Sequence, residues 1–70
     1  MTNSTSEILK LNIRKYRESA GLTQEQLSEL SGISSDYLSE IERGKKTPSM
    51  KRFFRIADAL NIPAYKFFMS

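Results

Sequence analysis

The chain contains no cysteine and no histidine. Their absence removes disulfide staples, thiol nucleophiles, zinc fingers and histidine acid–base chemistry together. There is no phosphate loop either, and no converging carboxylate pair outside the Thr23 to Gly44 stretch. Catalysis therefore has no evident seat, and the sequence reads as a non-enzyme with no cofactor, no metal site and no evident small-molecule ligand. Nowhere does an apolar run reach the 18 residues that a membrane helix needs, and the opening MTNSTSEILK lacks the basic and apolar regions of a secretion signal. A cytoplasmic protein with no membrane partner is expected. Glycine and proline are scarce too, at three and two residues. Each of them falls where a helix pattern begins or ends.

What remains is 70 residues, 39% hydrophobic and 27% charged, with a formal net charge of +3. That length allows one domain and leaves no room for a separate effector domain. So short a chain buries only about 60% of its unfolded surface, so its core must be used economically. The pattern is helical throughout. Met1 to Thr5 reads as a flexible tail, and a first helix is expected from about Ser6 to Ala20. Leu9, Ile13, Tyr16 and Ala20 form its inner stripe, while Ile8 and Leu11 fall off it. Ser4 with Glu7 offers a capping box that would start this helix a turn earlier.

The centre of the chain is Thr23 to Gly44. Thr23 and Gln26 form a Thr-x-x-Gln capping box, Leu27 and Leu30 follow at helical spacing, and Gly32 supplies a residue that tolerates positive φ. Ser34 caps the next helix, which turns Leu38 and Ile41 inwards and stops at Gly44. Two short helices joined by a glycine turn make a helix-turn-helix unit. Leu22 and Ile33 plug the core around it. A fourth helix is expected over Ser49 to Leu60, burying Met50, Phe53, Phe54, Ala57 and Leu60 while Lys51, Arg52, Arg55 and Asp58 face outwards. Asn61 suits its left-handed terminator, Ile62 plugs the core again, and a fifth helix is expected from Pro63 to about Met69. The fold class is all-α: a tail over 1–5 and one five-helix domain over 6–70.

Charge is concentrated in one stretch. Arg43, Lys45, Lys46, Lys51, Arg52 and Arg55 lie within residues 43–55 with no acid among them. A solvated helix face and a polyanion-binding surface both fit such a cluster; its place directly after a helix-turn-helix favours DNA. On the helix after Ser34, Ser35, Asp36, Ser39, Glu40 and Arg43 share the outer face, which is the part that enters a major groove and reaches base edges. The serines allow close approach, and a carboxylate from Asp36 or Glu40 can accept from the cytosine amine. Phosphate donors are expected at Thr23, Gln24, Tyr37, Lys45, Lys46, Thr47 and Ser49, with Gln24 at a helix N-terminus whose dipole favours an anion. Glu42 points inwards, where Arg17 can meet it in a bidentate salt bridge. The aromatic chain end provides Phe67 to close the core, and leaves Tyr65, Phe68 and Met69 for an isologous dimer interface.

These residues resemble the phage repressor and Cro type of helix-turn-helix domain, the Xre-like family. The resemblance runs from about Leu9 to Phe68. It rests on Ile13-Arg14, Arg17, Gly21-Leu22-Thr23-Gln24, Leu27, Ser28 and Gly32, then on Ser34, Tyr37-Leu38-Ser39, Ile41-Glu42-Arg43-Gly44, Pro48-Ser49, Ile56-Ala57 and Leu60. It implies a five-helix, lambda-repressor-like domain that binds double-stranded DNA as a homodimer and places its third helix in the major groove. It implies base contacts at Ser35, Asp36 and Glu40, phosphate contacts at Gln24, Arg43 and the following loop, and a buried Arg17–Glu42 bridge. Ser28 departs from the family's usual alanine, and the acidic pair Asp36 and Glu40 departs from any familiar base preference. The expected function is a transcriptional regulator, most simply a repressor. A restriction–modification controller, an antitoxin-type autoregulator and a protein-interaction module that has lost its DNA role are the alternatives.

Overall fold

The computed structural model describes residues 4–69. It contains four α-helices and a short C-terminal 3-10 helix, with no strand among the described residues: α1 (Thr5–Ser19), α2 (Gln24–Ser31), α3 (Ser35–Glu42), α4 (Met50–Leu60) and the 3-10 helix Ala64–Phe68. Local chemistry sets the boundaries. The hydroxyls of Ser4, Thr23, Ser34 and Ser49 each accept from a backbone N–H three residues on, satisfying a donor that the helix start leaves unpaired. Thr23 and Gln26 close a reciprocal box, at 3.0 and 2.9 Å. Gly32 ends α2 in the left-handed region at φ +72, and Asn61 ends α4 there at φ +59. Gly44, at φ +77, meets a second constraint, because a Cβ there would lie 3.1 Å from Nζ of Lys10 and 3.2 Å from its Cδ.

The core is shared by all five elements. Leu9 and Ile13 of α1, Leu27 of α2, Ile33 of the turn and Leu38 and Ile41 of α3 meet Phe53, Ile56, Ala57 and Leu60 of α4 and Phe67 of the 3-10 helix. Leu22 and Ile62 pack against this cluster from its margin. Burying a side chain of this size contributes about 1.5–3 kcal/mol, so these few residues dominate the folding energy of so small a domain. Phe67 is fully buried and stands edge-on to Tyr16 and Phe53, with ring centroids 5.0 and 5.3 Å apart.

Several expectations need correction. The last element is a 3-10 helix rather than an α-helix: Lys66 N donates to the oxygen of Pro63, three residues back. Five residues hold too few α-type bonds to offset nucleation, and the tighter turn wins. Met50 and Phe54 are exposed, at 60% and 47%, and Ile56 takes the buried place instead. Phe54 lies about 100° round the helix from Phe53 and so turns outwards. Leu30 is likewise exposed, because the eight-residue α2 presents only Leu27 and Ser31 to the core. Ser31 is tolerated there because its hydroxyl donates to the oxygen of Leu27 at 2.7 Å. Ala20 lies beyond the end of α1 as an exposed C-cap. Of the expected tail, Met1 to Asn3 lie outside the described residues, whereas Ser4 and Thr5 already belong to the start of α1.

Candidate nucleic-acid interface

The orientation of α3 is fixed at its C-terminal end. Glu42 is buried, and its carboxylate accepts from three donors on two other segments. Arg17 of α1 donates through Nε at 2.8 Å to Oε2 and through Nη2 at 3.0 Å to Oε1, a bidentate pair. The third Arg17 donor, Nη1, reaches the oxygen of Leu22 at 2.7 Å, just ahead of α2. Gln24, the first residue of α2, donates from Nε2 to Oε1 of Glu42 at 3.0 Å. One cluster thus ties α1, α2 and α3 together. The Arg17 guanidinium is held above its ordinary pKa chiefly by the hydrogen bond to Glu42; burial opposes this, and the charges of Glu42 and Glu18 add to it.

Because Glu42 and Ile41 face inwards, Ser35, Asp36, Ser39, Glu40 and Arg43 are carried on the outer side of α3, all exposed or half-buried. Arg43 folds back to Ser39, its Nε donating to the backbone oxygen at 3.4 Å. Glu40 does not stand free: its carboxylate pairs with Nζ of Lys46 at 3.2 Å. Its backbone oxygen also accepts from the N–H groups of Lys45 and Lys46, at 2.8 and 3.3 Å. Lys46 and Arg52 both stand over the ring of Tyr37, 5.3 and 5.0 Å from its centroid. Tyr37 thereby joins α3, the basic loop and the first turn of α4 into one cationic surface. Lys45, Thr47 and Ser49 are exposed along the same loop.

The expected phosphate donors are consequently of two kinds. Lys45 and Thr47 project from the loop, whereas Thr23 and Gln24 already have work inside the chain. The Thr23 oxygen accepts from Gln26, leaving its hydroxyl hydrogen to donate; Gln24 gives one of its two amide hydrogens to Glu42 and keeps the other. Sequence reasoning missed the Gln24–Glu42 bond and the stacking on Tyr37, since both depend on the angle between helices.

The chain end forms a separate surface. Tyr65, Phe68 and Met69 are exposed, and Phe53 lies beneath Phe68 with centroids 5.3 Å apart. Asn12, another residue that sequence reasoning missed, is buried on α1 and gives both amide hydrogens to this segment, to the oxygens of Phe67 at 2.7 Å and Met69 at 2.8 Å. Among the described residues no helix is long and apolar enough to cross a membrane.

Against known proteins, the Helix-turn-helix family model matches residues 13–67, most of the chain. The chain belongs to this helix-turn-helix family. This helix-turn-helix protein is 46% identical over 52 residues to the HTH-type transcriptional regulator Rv0474 of Mycobacterium tuberculosis (strain ATCC 25618 / H37Rv). That match takes in 74% of the chain but spans only 37% of the relative's length. Its fold superposes on the restriction-modification controller protein C.AhdI from Aeromonas hydrophila with a TM-score of 0.84 and 33% identity, covering 87% of this chain and 92% of that one. It superposes with a TM-score of 0.82 and 27% identity on SinR, a master regulator for biofilm formation solved in complex with DNA, covering 87% and 98%.

Proposed function

We propose that this helix-turn-helix protein is a sequence-specific, double-stranded-DNA-binding transcriptional regulator, a repressor that occupies a near-palindromic operator as a homodimer in the cytoplasm. The observation that carries this reading is the outer face of α3. Five polar residues there, Ser35, Asp36, Ser39, Glu40 and Arg43, are flanked by a cationic loop and held in place by the buried Arg17–Glu42 bridge. Base edges are met by that face, and phosphates by Thr23, Gln24, Tyr37, Lys45, Lys46, Thr47 and Ser49. Tyr65, Phe68 and Met69 form the dimer seam, which sets two α3 helices about 34 Å apart on successive turns of the groove.

Selection from a random duplex pool, repeated at two salt concentrations, tests this. A two-fold related motif should enrich, and affinity should fall as salt rises. A pool that never enriches and a salt-independent affinity contradict the reading. The seam has its own test: exchanging Tyr65 and Met69 for serine should leave the melting temperature near wild type and convert the sedimenting species to monomer. A second reading, a restriction–modification controller, is favoured by the near end-to-end match with C.AhdI, 92% of whose chain is covered. It uses the same surface and the same DNA chemistry.

A further inference from the structure

Lys10 is a cation that the helix-turn-helix unit does not account for. It belongs to α1, more than thirty positions ahead of the basic loop, yet its side chain lies directly over Gly44, close enough that a single added methyl would touch it. The Lys10 side chain is 25% exposed, so its stem packs against the chain while its ammonium stays at the surface. Together with Gly44, Lys46 and Thr47 it lines a cavity of about 40 Å³, which has room for a water but not for a ligand.

Two cations, Lys10 from α1 and Lys46 from the loop that follows α3, therefore stand at this place, and each is held by an acid of its own segment. Lys10 pairs with Glu7 at 3.1 Å, and Lys46 with Glu40 at 3.2 Å. Pairs of this kind are weak, and a backbone phosphodiester, equal in charge to the carboxylate but set in a polyanion that releases counterions on binding, replaces it. We infer that Lys10 is an additional DNA-backbone contact supplied from α1, which leaves Glu7 for a phosphate when the loop seats on the duplex. The ligand class is a phosphodiester, and the inference rests on the DNA-binding reading above. Gly44 matters to it, since a side chain at 44 would push Lys10 away from the loop.

The test is the salt dependence of affinity for one fixed mixed-sequence duplex, measured for wild type, Lys10→Gln, Lys10→Arg and Glu7→Gln, with melting temperatures alongside. Each phosphate contact adds about 0.9 to the slope of log affinity against log salt. Lys10→Gln should make the slope shallower by about that amount per protomer, about 1.8 for a bound dimer, and weaken binding several-fold at low salt, with little change in melting temperature; Lys10→Arg should restore the slope. Glu7→Gln should tighten binding at low salt and keep the wild-type slope. A Lys10→Gln protein with the wild-type slope overturns the inference and leaves the DNA reading standing, and so does a Glu7→Gln protein that binds no more tightly. A wild-type protein that binds no duplex overturns both.

Discussion

Two glutamates of α3, only two residues apart, live in opposite worlds. Glu42 is buried, its side chain 3% exposed, and is matched by the fork of Arg17 and by Gln24. Glu40 is 36% exposed and holds a single flexible lysine, Lys46, across the mouth of the loop. Two residues on a helix are about 200° apart, so one acid faces the core and the other faces any ligand of α3. Identical chemistry thus takes two roles. The buried bridge is costly to desolvate but rigid, which suits the task of aiming a helix. The exposed pair is weak and exchangeable, which suits the proposed trade of an internal partner for a phosphate or a base.

The largest expected effect comes from breaking the buried side. Glu42→Ala leaves Arg17 without its partner and should cost about 3 kcal/mol. At about 4–8 °C per kcal/mol for a domain of this size, the melting temperature by circular dichroism should fall by well over ten degrees. A variant that melts like wild type contradicts the role given to the bridge. The pH dependence follows the sign of the Arg17 shift. Its folded-state pKa is raised, so the bridge's contribution from Arg17 is fully present below the ordinary guanidinium value and is lost only as pH climbs through the raised one. Stability should accordingly show no loss from Arg17 across the neutral range.

Gln24→Ala is the intermediate case, since it removes one donor from Glu42 and spares the fork. A loss of about 1 kcal/mol is expected in denaturant titration. If the loss equals that of Glu42→Ala, the bridge depends on Gln24 and not on Arg17. The smallest effect on stability should come from Glu40→Gln, at most about 1 kcal/mol. Its effect on recognition should be plain: selected duplexes should change their preferred base at one position. An unchanged motif would leave Glu40 as the tether of Lys46 and nothing more. Lys45→Ala should disturb the fold as little, weaken every duplex alike and reduce the salt slope by about 0.9 per protomer, about 1.8 for a bound dimer.

The same contrast explains what could be read in the chain itself. Helix starts were legible at Ser34 and Thr23, because a cap acts on an N–H two or three residues away. So was the inward turn of Glu42, which follows from helical spacing alone. The phase of α4 was not, because Met50 and Phe54 are as apolar as Phe53, and only the packing of its neighbours decides which residues are covered. Asn12 gave no local signal, since the carbonyls it holds lie 55 and 57 residues along the chain. The pairing of Glu40 with Lys46 was also hidden. An acid on an outer face looks the same whether it is free or already engaged.

On the proposed reading, the outer face of α3 and the loop beside it meet DNA, while the aromatic chain end does not. Titrating the labelled protein with duplex while following its backbone amide resonances tests it directly. Resonances of Ser35, Asp36, Ser39, Glu40 and Arg43 should shift, with a second set at Gln24, Lys45, Lys46 and Thr47, and none at Tyr65, Phe68 or Met69. Shifts confined to the chain end, or none at any residue, would contradict it.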